Sequence, residues 1–239
     1  MSAAVRLFIF CEGQTEETFA QQVLSPHFLG EFATYTYPLL LPNVRGAHAR
    51  RHKGGWISYR TARHFMHGIM QQHHRNDVWF TTLFDFYALP ADYPRPAAPL
   101  PISAREKVLA SEVAMQSDLL TDGLWRFTPH LQLHEFEALL FTDIGLFVEE
   151  FPERRHGVAA LQAEVAGVAP EDVNDGAETH PSRRIIRHIP EYDGRKASAG
   201  PILASRIGLD RLRRHCGHFA EWLSNLERQL VEQADGMHA

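Results

Sequence analysis

The amino-acid sequence predicts an α/β fold with a central, mostly parallel sheet, flanking helices and a helical C-terminal part. Two apolar runs, Val5–Cys11 and the residues between Asp77 and Asp85, have the composition of strands buried on both faces. Helical patterns alternate with strand-like runs in the first half of the chain. From Ile202 to Val231 the apolar spacing is largely helical, and this spacing predicts that the C-terminal part is made of helices.

The first half of the chain alternates between strand-like and helical segments. The patterns predict a strand at Val5–Cys11, a helix at Glu16–Leu24 capped by Thr15, a strand at Ala33–Leu41, a helix at Ile57–His73 and a strand ending at Asp85. Gly13 allows a tight turn after the first strand. This order is typical of a parallel or mixed sheet with right-handed crossovers.

The second half is mainly helical. A proline-rich loop or lid at residues 88–101 is followed by predicted helices at Arg105–Leu120 and Val158–Val173, a short strand turning into a helix between Trp125 and Phe141, and C-terminal helices broken near Gly208 and Cys216. Four apolar residues share one core-facing helix face: Phe219, Trp222, Leu223 and Leu226. We expect a single domain over residues 1–239, with 181–239 a helical extension packed on it.

Composition narrows the class of protein. The 239 residues suffice for one large core, and the formal net charge of −5 argues against a protein that simply coats nucleic acid. No apolar segment approaches membrane-spanning length and the N-terminus lacks a secretion-signal pattern, so we expect a cytoplasmic protein with no membrane partner. Cys11 and Cys216 provide neither a disulfide framework nor a zinc-binding spacing.

Acidic residues stand where the predicted strands end. Glu12 follows the first strand, Asp85 ends a later one, and Glu135 and Glu137 lie at a strand-to-helix junction. The carboxyl ends of parallel strands meet at one sheet edge, where ligands gather. Because Mg²⁺ and Mn²⁺ prefer oxygen ligands, the sequence predicts a site for one of these ions formed by these four carboxylates.

Each of these residues also has a plainer interpretation. Glu12 alone would be a solvated loop residue, and only the acids at the other strand ends favour a ligand. Glu137 shares a side with Glu135 only if the strand continues; in a helix it would support the dipole or a salt bridge. Glu16 is either a base or a capping residue, and Lys196 either neutralises a phosphate or is solvated.

Two basic stretches of the sequence give little evidence for a binding site. His48–Trp56 combines cationic side chains with an indole, so it could contact phosphates and a base, or it is a solvated loop. Ser182–His188 has the pattern of an ordinary amphipathic helix, which we interpret as structural.

Several motifs together resemble the bacterial family catalogued as domain of unknown function 4276. They are Glu12-Gly-Gln-Thr-Glu16, Leu83-Phe-Asp-Phe-Tyr-Ala-Leu-Pro90, Gln132-Leu-His-Glu-Phe-Glu-Ala-Leu-Leu-Phe141, Pro181-Ser-Arg-Arg184, Tyr192-Asp-Gly-Arg-Lys196 and the stretch Gly200–Leu223. The resemblance covers nearly the whole chain.

This resemblance implies a Toprim-like, Rossmann-like fold related to the nuclease domains of topoisomerases, primases and overcoming-lysogenization-defect nucleases. It also implies a partner ATPase of the ABC or SMC type in bacterial anti-phage defence. The chain departs from the Toprim pattern at Tyr87, which stands where that pattern has a second aspartate. This departure bears on the number of metal ions and on catalysis itself.

Two functional hypotheses follow. In the first, Glu12, Asp85, Glu135, Glu16 and Lys196 catalyse Mg²⁺- or Mn²⁺-dependent hydrolysis of phosphodiester bonds in DNA or RNA. In the second, the chain is a non-catalytic adaptor that docks on the ATPase, as the loss of an acid at Tyr87 would allow. Aspartyl phosphotransfer at Asp85 has less support, since no second acid or hydroxyl accompanies this residue in the expected arrangement. The sequence contains no P-loop, so ATP hydrolysis would have to come from a partner.

The sequence does not determine the oligomeric state, and a homo-oligomer is one of the possibilities.

Overall fold

The computed structural model describes residues 5–42, 58–87, 89–94, 96, 103–120, 126–173 and 179–236. The basic stretch His48–Trp56 and much of the proline-rich segment 88–101 lie outside these residues, so the expectations for them stay predictions.

The described residues form a parallel five-stranded sheet that confirms the α/β prediction. Its strands are β1 (Arg6–Cys11), β2 (Tyr35–Leu40), β3 (Val78–Asp85), β4 (Phe127–Thr128) and β5 (Leu131–Gln132). The order is β2-β1-β3-β4, and β5 pairs with the last residues of β3. Each described pairing is parallel, as expected for strands joined by helical crossovers. The layout is Rossmann-like.

β2 stands at one end of this strand order and carries a proline at its centre. Pro38 lies opposite Ile9 of β1. The N–H groups of Tyr35 and Leu41 donate to carbonyls of the β1 side, at 3.0 Å in both cases. Because N–H directions alternate along a strand, position 38 faces away from β1, where a missing N–H breaks no bond of the sheet.

Ten α-helices surround the sheet in the described part of the chain. They are α1 (Gln14–Phe19), α2 (Ser25–Phe32), α3 (Tyr59–Gln72), α4 (Ala104–Leu119), α5 (Phe147–Glu150), α6 (Arg155–Glu164), α7 (Pro181–His188), α8 (Lys196–Ile207), α9 (Leu209–His215) and α10 (Gly217–Gly236). The predicted breaks at Gly208 and Cys216 separate the last three helices.

Both faces of the sheet are buried, as the apolar strand composition predicts. On one face, Leu7 and Ile9 of β1 pack in a cluster with residues of α1, α2, α8 and α10. On the other face, Phe8 and Phe10 pack with residues of α3 and α4. The predicted core residues of α10 are buried: Phe219, Trp222, Leu223 and Leu226. No described helix has the length and the apolar character that crossing a membrane requires.

Several local expectations were wrong in detail. Gly13, not Thr15, is the N-cap of α1, and the Glu16 side chain reaches back to accept the Gly13 N–H. The helix expected to end at Leu24 continues through a π-helical segment, Ala20–Leu24, directly into α2. The predicted helix after Glu135 is 3₁₀ rather than α over Phe136–Leu146. α6 ends at Glu164, well before the predicted Val173.

Candidate functional site

Glu12 and Asp85 meet at the carboxyl edge of the two central strands. Cys11 pairs with Leu83 in the parallel register of β1 and β3, so these strands end side by side. Glu12 donates its N–H to the Leu83 carbonyl at 3.3 Å. The Asp85 N–H in turn donates to Glu12 Oε2 at 3.0 Å. The fold thus brings together two acids that are far apart in sequence.

The segment after β5 carries Glu135 to the same edge. Asp85 lies opposite Gln132 where β5 pairs with β3. His134 then adopts a left-handed backbone conformation with φ 67°, which turns the chain before Glu135. Phe136, the first residue of the 3₁₀ segment, donates its N–H to Asp85 Oδ1 at 2.8 Å. This bond fixes the Glu135 junction against the end of β3.

Glu16 and Glu137 are the most buried acids of the site. Their exposed fractions are 7% and 5%, whereas Glu12, Asp85 and Glu135 are half-buried. Glu16 lies in the first turn of α1, where its Oε2 accepts the Gly13 N–H at 2.9 Å. A buried carboxylate is costly unless a hydrogen bond or a cation compensates for the lost water.

Lys196 and Tyr192 contact Glu137 from the C-terminal part of the chain. The Lys196 Nζ lies 3.5 Å from Glu137 Oε1, and the Tyr192 hydroxyl donates to the same oxygen at 3.4 Å. α8 can approach so closely because Gly200 has no side chain. A Cβ there would lie 3.2–3.3 Å from side chains of Tyr192, Phe136 and Thr15.

Glu135 is engaged by the start of α7. Its Oε2 accepts the Ser182 N–H at 2.8 Å, and His180 Nδ1 lies 3.1 Å from the same oxygen. The Ser182 hydroxyl donates to Oε1 at 3.3 Å. Glu135 therefore also serves as an acceptor for the N-terminus of α7, and the basic amphipathic helix that we interpreted as structural borders the site.

Tyr87 lies two residues after Asp85 in the sequence. Its ring stacks on His180 with centroids 4.8 Å apart, and 44% of Tyr87 is exposed. The Tyr87 N–H donates to the His134 carbonyl at 2.8 Å. An exposed tyrosine, stacked on a largely buried histidine, therefore lies directly beside the acids.

Burial and mutual repulsion raise the pKa of four of these acids. Burial, followed by the charge of Glu16, raises the pKa of Glu12 to about 8. Burial and the charge of Glu137 raise the pKa of Glu16 to about 7. The pKa values of Asp85 and Glu137 are raised mainly by burial as well, and Lys196 opposes the shift at Glu137. The site therefore concentrates negative charge that a cation would offset.

The arrangement leaves two carboxylate oxygens available to a ligand. Glu12 uses Oε2 and Asp85 uses Oδ1 for main-chain N–H groups. Their other oxygens accept no hydrogen bond from any residue that the structure describes. These are hard oxygen donors on adjacent strand ends, so this donor set fits a small divalent cation better than a soft metal.

A shallow cleft adjoins the site between the starts of α1 and α8. Its volume is about 370 Å³, and Gln14, Glu17, Arg195 and Ser198 are among its lining residues. It opens next to the helix turns that carry Glu16 and Lys196.

A second polar cluster lies in the core, and no sequence pattern had indicated it. Glu112 of α4, His130 before β5 and His218 of α10 offer ligand atoms that all lie within 4.8 Å of one another. This buried cluster could hold a metal ion. Since its members are distant in sequence, no ligand spacing could reveal it. By contrast, Ser182 and Tyr192 lie within motifs that carried the family resemblance.

Fold and site together define a Rossmann-like α/β protein with a carboxylate cluster at the carboxyl edge of its parallel sheet. The chain belongs to the family described as Domain of unknown function (DUF4276), whose model matches residues 11–227. This membership confirms the family resemblance. No curated protein and no solved structure matches the chain.

Proposed function

We propose that the protein is a Mg²⁺- or Mn²⁺-dependent nuclease with a Toprim-like site. The observation that carries the proposal is the convergence of Glu12, Asp85, Glu135 and Glu137 from three separate segments on one sheet edge, with Glu16 and Lys196 beside them. A protein that only binds a partner has no need to bury so many acids together.

Glu12 and Asp85 are the first metal ligands, because each keeps one carboxylate oxygen free of hydrogen bonds within the described residues. Glu135 and Glu137 would complete the set of metal ligands. To do so, each would give up one of its contacts, such as that of Glu135 with Ser182 or that of Glu137 with Lys196. When bound, the metal would polarise a phosphate oxygen and lower the pKa of an attacking water.

The chain's own residues supply the remaining roles. Lys196 neutralises a phosphate, since its ammonium group reaches the edge of the acidic cluster from α8. Glu16, whose pKa lies near neutrality, accepts a proton from the attacking water. Tyr87, stacked on His180, offers an exposed aromatic face to a base of the nucleic acid.

The proposed partners rest on the family resemblance. An ABC- or SMC-type ATPase would supply the ATP hydrolysis for which this chain has no P-loop, and the pair would act on DNA or RNA in the cytoplasm during anti-phage defence. A homo-oligomer is compatible with this arrangement.

The adaptor hypothesis keeps one specific observation in its favour. Tyr87 fills the place of an aspartate and packs on His180, so one carboxylate of the Toprim pattern is replaced by an aromatic pair. An adaptor would bind the ATPase and leave nucleic acid intact.

The deciding experiment combines Mn²⁺ calorimetry with cleavage assays on single- and double-stranded DNA and RNA, with and without a candidate ABC- or SMC-type ATPase. We expect Glu12→Gln and Asp85→Asn to abolish Mn²⁺ binding and reduce cleavage by at least about 100-fold. Glu31→Gln, which removes an exposed acid of α2, is the charge-matched control and should behave as wild type.

Two outcomes would contradict the proposal. Full cleavage by the folded Glu12→Gln and Asp85→Asn variants would show that these acids are not the metal ligands. Wild-type protein that binds the ATPase yet cleaves none of the four substrates under any condition would favour the adaptor.

A further inference from the structure

Two nitrogen atoms of the core cluster of Glu112, His130 and His218 have no hydrogen-bond partner within the described chain, His130 Nδ1 and His218 Nδ1. His130 has no exposed surface, and its Nδ1 receives no hydrogen bond within the described chain. Glu112 Oε1 lies 3.7 Å from His130 Nδ1. An unsatisfied polar atom at such depth is uncommon and calls for an explanation.

The neighbouring hydrogen bonds fix the proton on the other nitrogen of His130. Gln132 donates its amide N–H to Glu171 Oε1 at 3.3 Å, so its carbonyl oxygen faces His130 Nε2 at 3.4 Å. Because that oxygen can only accept, Nε2 must carry the hydrogen. In the neutral ring, Nδ1 then presents a lone pair towards Glu112 Oε1, so two acceptors face each other 3.7 Å apart.

His218 completes the group from the first turn of α10. Its Nε2 lies 2.9 Å from Glu112 Oε1 and 3.1 Å from the Leu131 carbonyl oxygen. Both neighbours are acceptors, so a hydrogen occupies this nitrogen in the metal-free protein. Glu112 Oε1 also accepts the Leu131 N–H at 2.8 Å, which fixes the carboxylate in place.

We propose that Glu112, His130 and His218 form a buried Zn²⁺ site, separate from the carboxylate cluster at the sheet edge. Two imidazoles and one carboxylate are a ligand set that suits Zn²⁺ and not Mg²⁺. Ligand atoms of a four-coordinate zinc ion lie roughly 3.3 Å apart, so side chains already within 4.8 Å of one another need only small shifts.

Zinc would resolve the conflict between the acceptors. The lone pair of His130 Nδ1 and the Glu112 oxygen would both coordinate the ion, and His218 would bind through Nε2 with its ring hydrogen moved to Nδ1. The Leu131 carbonyl oxygen or a water would take the fourth position. The hydrogen bond from His130 Nε2 to Gln132 is the outer contact that commonly orients a metal-binding histidine.

The role of this zinc is structural. Its ligands come from α4, from the segment leading into β5, and from α10, so one ion would join helices on both sides of the sheet to the strand that positions Glu135. The site is buried, which suits a structural ion better than one that must meet a substrate.

The test uses the full-length protein after chelation, titrated with Co²⁺ and then Zn²⁺. We expect one Co²⁺ per chain with the intense visible absorption of four-coordinate cobalt, displaced by one Zn²⁺, and a higher melting temperature with zinc. Glu112→Gln and His130→Gln should lose this binding. His27→Gln alters another histidine paired with a glutamate, Glu227, and should retain it.

Glu12→Gln separates this proposal from the proposed function, because it should lose Mn²⁺ and keep the cobalt spectrum. X-ray absorption of the zinc-loaded wild type needs no variant and should show two imidazole ligands. The proposal is wrong if wild-type protein binds neither Co²⁺ nor Zn²⁺, if binding survives in both cluster variants, or if the zinc is bound by carboxylates alone.

Discussion

Individual acids at the sheet edge are held by main-chain N–H groups of neighbouring elements. The Asp85 N–H holds Glu12, the Phe136 N–H holds Asp85, and the Gly13 N–H holds Glu16. Main-chain donors are fixed by the fold itself, so these three carboxylates need no ordered partner side chains to stay in place. Such placement is what a preorganised ligand set requires.

The raised pKa values predict how stability depends on pH in the metal-free protein. The pKa of Glu16 rises from 4.5 to about 7, and that of Glu12 rises from 4.5 to about 8. Between pH 4.5 and pH 8 the native state therefore binds more protons than the unfolded state. The free energy of unfolding should therefore fall as the pH rises from about 4.5 to about 8.

Urea denaturation at several pH values in the presence of chelator measures this slope. Glu16→Gln should flatten it and raise stability at pH 8, by an amount on the order of 3 kcal/mol at most. Glu31→Gln should leave the slope unchanged. A Glu16→Gln variant with the wild-type slope would mean that Glu16 titrates normally in the folded protein.

Among the elements, those with strong periodicity were predictable from the sequence and those with irregular geometry were not. The apolar strand at Val5–Cys11 and the C-terminal helices agree with the structure because their burial patterns repeat over many residues. The 3₁₀ segment Phe136–Leu146 was predicted as an α-helix, since an apolar run does not distinguish the two.

The candidate site also contains residues that could be predicted from the sequence and contacts that could not. Strand-end acids such as Glu12 and Asp85 could be predicted because a parallel sheet aligns its carboxyl ends. The contacts of Glu135 with Ser182, and the cluster around His130, depend on long-range packing between elements that sequence spacing does not encode.

The approach of α8 to the site gives a prediction at the level of one helix. Gly200→Ala should destabilise the protein by roughly 1 kcal/mol, because a Cβ would crowd Tyr192, Phe136 and Thr15 by more than its gain in helix propensity. Gly68→Ala in α3 is the matched control, since nothing lies within 4 Å of a Cβ there, and it should stabilise by roughly 0.5–1 kcal/mol.

Urea midpoints of the two variants measure the contrast. Equal stabilisation by both substitutions would show that α8 can shift without cost, and the distance between Lys196 and Glu137 would then not be fixed by packing.

For the molecule as a whole, the two apolar clusters share one sheet. Alternate residues of β1 enter opposite clusters, with Ile9 on one face and Phe10 on the other. The C-terminal helices contribute Leu203 and Phe219 to the cluster around Ile9. Both clusters pack on the same strands. Loss of one cluster would expose one face of these strands and so destabilise the sheet that the other cluster needs.

This sharing predicts one cooperative unfolding transition for residues 1–239, including the helical extension 181–239. Far-UV and near-UV circular dichroism should report the same urea midpoint, and hydrogen exchange of α10 and of β3 should reach the same opening free energy. Earlier loss of α8–α10, with the sheet still protected, would instead identify the C-terminal part as a separate folding unit.

The proline at the centre of β2 affects more than that strand. Its ring replaces the one main-chain donor that an incoming strand would need midway along β2, so any strand pairing there would meet a gap in its ladder. Growth of the sheet by addition of further chains at β2, the first step towards fibrous aggregates, is therefore disfavoured by a single residue. Copies of this protein that associate should not do so by pairing along β2.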